Sequence, residues 1–364
     1  MSDSQHPTPP AHADDADAPE LLSQRKVDHL LLCNTQDVEA RASSTLLDQV
    51  HLQHQSLPEL AWDEIDTSVS VLGRRLQVPL VVSGMTGGTD QARAINRTLA
   101  AMAQKHGMGF GLGSQRAMMR DPKQTRTYDV REIAPDVLIL GNLGAVQAAQ
   151  SSLQEVEDLV GAVDADALCV HLNPAQELIQ DHGDRDFKGC IDALQKLASD
   201  LSIPIIAKET GCGMSQQTLA KLTEAGVQWV DVSGAGGTTW IGVEAMRASS
   251  QLANVGEVLW DWGVPTAVST RWAAQAGMNV IASGGIRHGL DAARAIALGA
   301  QLASSALPWL RAAMQGGEAA VEDTAQTWIR TLKSVMLLTG AASVEQLQRA
   351  PKQLGPELQH WLQP

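Results

Sequence analysis

Between residue 78 and residue 305 the chain alternates short apolar runs with longer stretches in which apolar positions recur at helical spacing. A brief apolar run bounded by glycine and polar residues suits a strand buried on both faces, and the longer amphipathic stretches suit helices laid against such strands. The pattern predicts strands over 78–83, 108–112, 137–141, 167–171, 203–208, 227–232, 278–283 and 301–305. Helices are expected over 91–105, 124–133, 146–160, 188–201, 215–225 and 290–298, with a longer excursion over 241–277. Repeated strand-helix units build a parallel sheet. Their number favours an α/β fold of the closed (β/α)8 barrel (TIM barrel) kind, with a doubly wound open sheet as the weaker alternative. Residues 25–77 would form a helix/hairpin extension ahead of the barrel, turning at Gly73, and residues 1–24 an acidic, disordered tail. One barrel domain would then cover 25–364.

A barrel enzyme keeps its site where the strands end. Glycine and polar residues gather at those ends: Gly84-Met85-Thr86-Gly87-Gly88-Thr89, Gly113-Ser114-Gln115-Arg116, Gly141-Asn142-Leu143-Gly144, His171-Leu172-Asn173-Pro174-Ala175-Gln176-Glu177, Lys208-Glu209-Thr210-Gly211 and Ser233-Gly234-Ala235-Gly236-Gly237-Thr238. Any one of these is a weak signal, but turn chemistry alone rarely repeats in step with every strand. After the seventh strand comes Ser283-Gly284-Gly285-Ile286-Arg287. Two glycines let backbone N–H groups approach an anion, the arginine adds a fork of donors, and the following helix would aim its positive end at the same point. The stretch reads as a phosphate cradle, in the part of the barrel where phosphates are commonly held, although a plain glycine turn has the same composition.

Charge and cysteine content narrow the partners. A formal net charge of -14 argues against nucleic acid or an anionic membrane as partner, since either needs a basic face, and an anionic ligand would need the basic groups concentrated locally. No run approaches the length needed to span a bilayer, and the first 24 residues lack the apolar centre of a signal peptide. Cys33, Cys169, Cys190 and Cys212 form no CxxC pair, which suits a reducing, cytoplasmic setting.

The ordered set Arg25-Lys26-Val27-Asp28-His29-Leu30, Met85-Thr86-Gly87-Gly88, Gly113-Ser114-Gln115-Arg116, Gly141-Asn142-Leu143-Gly144, His171-Leu172-Asn173, Gln176-Glu177, Gly183-Asp184-Arg185-Asp186-Phe187, Lys208-Glu209, Val232 to Thr238 with Trp240 and Glu244, and Gly284-Gly285-Ile286-Arg287 resembles type 2 isopentenyl diphosphate isomerases, the flavin-dependent kind. The resemblance runs from Arg25 to about Leu338. It implies FMN at the barrel mouth, contacted by Met85, Thr86, Gly87, Ser114, Asn142, Lys208, Ser233 and Thr238, with its phosphate against Gly285, Ile286, Arg287, Ala306 and Leu307. It further implies that Arg25, Lys26, Ser114, Arg116, His171, Asn173 and Gln176 bind an isoprenoid diphosphate, that Glu177 holds Mg2+, and that Gln176, Glu244, Trp240 and His171 serve the chemistry. NADPH would serve only to reduce the flavin, and the expected assembly is a homotetramer or homo-octamer.

Bland readings stand beside these. Arg25 and Lys26 alone look like an exposed basic pair, Glu177 like a loop carboxylate, His171 like a core histidine, and Glu244 and Arg247 like a helix-surface ion pair. Two other functions share the frame. An FMN-dependent 2-hydroxyacid oxidase would need a histidine after the sixth strand, where this chain has none, and a non-catalytic flavin-binding protein would not need the added groups at Arg25, Lys26, Gln176 and Glu177.

Overall fold

The computed structural model describes residues 19–363. Helix α1 (Pro19–Thr35) starts ahead of Arg25, so residues 19–24, expected in the tail, are helical; the rest of that expected tail lies outside the described residues. The barrel strands are β1 (Leu80–Val82), β2 (Gly109–Gly111), β3 (Leu138–Gly144), β4 (Ala167–Leu172), β5 (Ile205–Glu209), β6 (Trp229–Asp231), β7 (Asn279–Ala282) and β8 (Leu302–Ser305). All are parallel, each pairs with its neighbours in sequence, and β8 pairs with β1 to close the cylinder. Ahead of them lies the hairpin Val69–Val71 and Arg74–Leu76, whose turn places Leu72 and Gly73 at positive φ. Among the described residues no helix is long and apolar enough to cross a membrane.

Strand alternation explains why the site sits at one end. Val81, Leu138, Leu140, Ala167, Cys169, Ile206, Ile281 and Leu302 form one buried cluster with Leu76, while Leu80, Val82, Ile139, Leu168, Val170, Ala207 and Val280 belong to the larger cluster under the helices. The first set fills the barrel, with Leu76 and its hairpin against its lower end. Two positions further along six of the strands the same inward face carries Ser83, Asn142, His171, Lys208, Ser283 and Ser304. An apolar lower barrel therefore gives way to a polar layer beneath the mouth.

Two expected helices differ. Over 124–133 the chain forms a 3-10 helix, Pro122–Thr127, and then turns. Asp121 caps it through Lys123 N, and the hydroxyls of Thr125 and Thr127 bond back to Pro122 O (2.8 Å) and Gln124 O (2.7 Å), competing with continued helix. The stretch 146–160 splits into Ala145–Gln150 and Leu153–Gly161 because Ser152 and Glu155 form a capping box that starts a second helix. The excursion over 241–277 resolves into helices Trp240–Ala245, Ser250–Leu259 and Thr266–Gln275. Beyond β8 runs Leu307–Leu338, interrupted at Gly317 (φ +61°), then Val344–Arg349, and a strand Lys352–Leu354 pairing antiparallel with Val50–Leu52.

Candidate active site

Lys208 is buried at the end of β5. Its ammonium donates to Asp231 Oδ2 (2.9 Å) on β6, and Ser283 donates to Asp231 Oδ1. A buried cation is tolerated here because its anion is itself hydrogen-bonded. The adjacent Glu209 turns outward and accepts the backbone N–H groups of Thr210 (2.6 Å), Gly211 (2.6 Å), Cys212 (2.5 Å) and Gly213 (3.2 Å), which shapes the loop after β5. Burial pushes its carboxyl up to about 7 against those bonds.

On β3 and β4, Asn142 Nδ2 donates to Leu112 O (2.9 Å), which turns its Oδ1 to His171 Nδ1 (2.8 Å). That network assigns the proton to Nδ1 and a lone pair to Nε2. Burial, with the positive charges of Lys208, Arg116 and Arg25, pushes His171 down to about 4, so the imidazole is neutral.

Helix α1 closes the mouth. Arg25 donates to Gln180 Oε1 (2.7 Å); Lys26 donates to Ser114 O (3.2 Å) and to the Tyr128 hydroxyl (2.5 Å), which itself donates to Ser114 O (2.8 Å). Burial, with Arg25 beside it, brings Lys26 down to about 7. One turn beyond Arg25, His29 Nε2 lies 2.8 Å from Glu244 Oε1, its ring edge-on to Trp240 at 5.0 Å and 73°. Gln176 Nε2 donates to the same Glu244 oxygen (3.0 Å), and Arg247 to the other (2.9 Å). Burial alone would raise the Glu244 carboxyl, but His29, Gln176 and Arg247 together hold it at about 2.

Asn173, ahead of the short helix Pro174–Ile179, donates to Glu177 Oε1 (2.8 Å), while Asp184 N donates to Glu177 Oε2 (2.9 Å). Burial raises the Glu177 carboxyl. Among the described residues no three acidic, histidine or cysteine side chains gather as a metal cage, so a cation here would meet one carboxylate and need further oxygens from a ligand.

The cradle after β7 takes the positive φ that glycine allows, +91° at Gly284 and +68° at Gly285. Its arginine already has a carboxylate partner. The Arg287 fork is engaged by Glu39, Nε to Oε1 at 3.2 Å and Nη2 to Oε2 at 2.6 Å, with Thr238 Oγ1 at 3.2 Å. Glu39 arrives there because the segment after α1 pairs with the β6 loop, Ala40 N to Gly237 O (2.8 Å) and Thr239 N to Val38 O (2.9 Å).

One cleft collects most of the expected residues: Arg25, Lys26, Ser114, Arg116, His171, Asn173, Gln176, Glu177, Met85, Asn142, Lys208, Ser233, Thr238, Trp240, Gly285, Arg287, Ala306 and Leu307. Thr86 lines an adjoining apolar recess with Leu30, Trp240, Leu307 and Leu310, and its buried Oγ1 has no partner among the described residues. Three residues stand behind the wall. Gly87 packs on the Tyr128 ring, the Ile286 side chain is fully buried, and Glu244 reaches the cleft only through Gln176 and His29. Sequence reasoning gave no role to His29, Tyr128, Gln180, Asp231 or Glu39. His29 had a signal, since four residues from Arg25 it shares that helix face.

The sequence profile of FMN-dependent dehydrogenases matches residues 143–353. The isopentenyl-diphosphate delta-isomerase of Methanosarcina mazei is 42% identical over 334 residues, 90% of this chain and 91% of that protein. The protein of the same name from Synechococcus sp. is 48% identical over 315 residues, 85% of this chain and 89% of its own. Among solved structures, mandelate oxidase with (S)-2-phenylpropionate superposes with a TM-score of 0.63 at 18% identity, over 94% of this chain and 98% of that one, a likeness of fold. With the eight-stranded barrel and the residues gathered at its mouth, these matches show that the chain belongs to the isopentenyl-diphosphate delta-isomerase family, built on the barrel of the FMN-dependent dehydrogenases.

Proposed function

We propose that the chain interconverts isopentenyl and dimethylallyl diphosphate, with reduced FMN at the barrel mouth and Mg2+ at Glu177. The observation that carries this reading is the placement of Arg25, Lys26 and Arg116 in the same cleft as Gln176, whose amide rests on a buried, ionised Glu244. Cations of that number suit a diphosphate, and an oriented amide backed by a buried carboxylate suits proton movement at the hydrocarbon end. The reaction adds a proton to the terminal alkene carbon and removes one from the carbon nearer the diphosphate, so it involves no net oxidation.

The residues fit FMN. The Gly284-Gly285 turn and the start of helix Leu307–Leu338 border the cleft, Thr86 Oγ1 is buried without a partner among the described residues, and Lys208 is a buried cation at a strand end. When bound and reduced, FMN supplies an electron-rich ring able to exchange a proton with an unactivated alkene. This chain supplies the rest. Lys208 places positive charge beneath the mouth, Arg25, Lys26 and Arg116 would hold the diphosphate, and Glu177, fixed by Asn173, would supply a carboxylate to a Mg2+ ion that also needs oxygens from the ligand. Gln176, its nitrogen committed to Glu244, keeps its oxygen for Asn173 Nδ2 (3.4 Å) and the cleft. NADPH as flavin reductant, a homo-oligomeric state and a cytoplasmic setting belong to the same reading.

An anaerobic assay tests it. With FMN reduced and Mg2+ present, isopentenyl diphosphate should become dimethylallyl diphosphate while NADPH is consumed only in priming. Oxidation of a 2-hydroxyacid, with isopentenyl diphosphate left untouched, would overturn the reading.

A further inference from the structure

We propose that His29 is a positioning residue that fastens helix α1 to the Glu244–Gln176 pair, so that one carboxylate both seats the helix carrying Arg25 and Lys26 and aims the Gln176 amide. The inference rests on the functional reading above and deepens it.

Glu244 is 1% exposed, yet its carboxylate oxygens join three elements. Oε1 meets His29 from α1 at 2.8 Å and Gln176 from the helix after β4 at 3.0 Å; Oε2 accepts from Arg247 at 2.9 Å. Arg247 in turn donates to Asp28 on α1 (3.2 Å), so α1 reaches the carboxylate directly through His29 and again through Asp28. The charged groups acting on His29 are thus Glu244, Arg247 and Arg25, with Asp28 beside it in sequence. Burial lowers the imidazole's pKa against the pull of Glu244, and in either protonation state it meets a carboxylate only as an N–H donor, here through Nε2. The edge-on contact with Trp240 fixes the ring's rotation and hence the direction of that N–H. A carboxylate that loses this donor can rotate toward Arg247 and take the Gln176 nitrogen with it. The amide would then leave its line with Asn173, and α1 would keep only the Asp28 route.

Two substitutions separate positioning from packing. His29→Phe keeps a ring against Trp240 and removes the donor; His29→Gln loses the ring and keeps an N–H of similar reach. Positioning requires His29→Phe to lower kcat about tenfold or more and His29→Gln to recover to within about threefold of wild type, the scale on which small displacements of a reacting group act. Amide hydrogen exchange over residues 25–35, measured without substrate, should accelerate in the Phe variant and stay slow in the Gln variant. If His29→Phe does not fold, His29→Asn, polar but too short to reach Glu244, takes its place with the same expected loss. Retained kcat and slow exchange in the variant lacking the donor, or equal losses in Gln, would overturn the proposal. A wild-type protein that fails to isomerise isopentenyl diphosphate would end the functional reading instead, and the exchange measurement would still decide whether His29 ties down the helix.

Discussion

Diphosphate binding should draw about one proton from solvent at pH 7, by the following electrostatics. In the free site Lys26 lies at about 7 and His171 at about 4, burial being the main cause at both. At pH 7 the lysine is therefore half protonated and the histidine neutral. A phosphate charge about 4 Å from either group, at an effective dielectric constant of about 20, is worth about 4 kcal/mol and raises a pKa by about 3. That completes the protonation of Lys26 and brings His171 to about half, so each takes up about half a proton. His171 has a geometric reason as well, because Nδ1–H is committed to Asn142 and the bare Nε2 repels an anionic oxygen until it is protonated. The sign follows from both pKa values being raised in the complex. Affinity is greatest below the free-site values and falls as pH climbs through the bound-state ones, by up to about tenfold in Kd between pH 7 and pH 8. Calorimetric titration of isopentenyl diphosphate into the oxidised holoenzyme, in buffers of different ionisation enthalpy, reads the proton count directly. Lys26→Gln and His171→Gln should each lower it by about half a proton, which cancels the ligand's own titration. Equal counts in wild type and both variants would refute the reasoning.

Three further outcomes are expected. Asp231→Asn strands the Lys208 ammonium in the barrel and should lower the unfolding free energy by about 3–5 kcal/mol in chemical denaturation, whereas an unmoved midpoint would show that the lysine finds another partner. Glu177→Gln should retain flavin and fold but lose Mg2+-dependent turnover, since an amide cannot neutralise the cation; an unchanged magnesium response would remove Glu177 from that role. Tyr128→Phe keeps the ring under Gly87 and removes the hydroxyl that holds Lys26, so KM for the diphosphate should rise about tenfold with kcat little altered, the scale of one hydrogen bond to a charged group. An unchanged KM would show that Lys26 holds its place without the phenol.

All eight strands were legible because each is an apolar run ending in glycine or polar residues, and the polar layer follows from counting two positions past the inward apolar residues, as from Ile206 to Lys208 or Leu140 to Asn142. The split at Ser152 was also written in the chain as Ser-x-x-Glu, but a continuous apolar period masked it. The 3-10 turn before Tyr128 was hidden for another reason: back-bonding by two threonines is a local choice that periodicity does not register. Least accessible were the pairings between distant segments. Glu39 and Arg287 are 248 positions apart, and His29 and Glu244 are 215 apart. Neither partner carries a mark of the other, and only closure of the barrel under α1 brings them together. Motif matching placed Arg287 at a phosphate on chemistry alone, and the structure adds the carboxylate that already holds its fork.

The segment from Val38 to Thr45 runs along the loops after β6 and β7 as a strap against the glycine cradle. It bonds to Gly237 and Thr239 at one end, Ala267 N donates to Thr45 O (2.9 Å) at the other, and a Cβ on Gly236 or Gly285 would strike Ser44 or Thr45. A group seated in the glycine cradle would therefore be held by a latch as well as by its own contacts. Its residence time would follow the rate at which the strap peels away, an event of local unfolding that leaves the barrel standing. Mild denaturant should then release the cofactor well before the barrel melts, and dilution alone should release it very slowly. Seen this way, the stretch between α1 and the barrel acts as a clasp, and the order in which the chain folds and loads becomes part of how firmly it keeps what it has loaded.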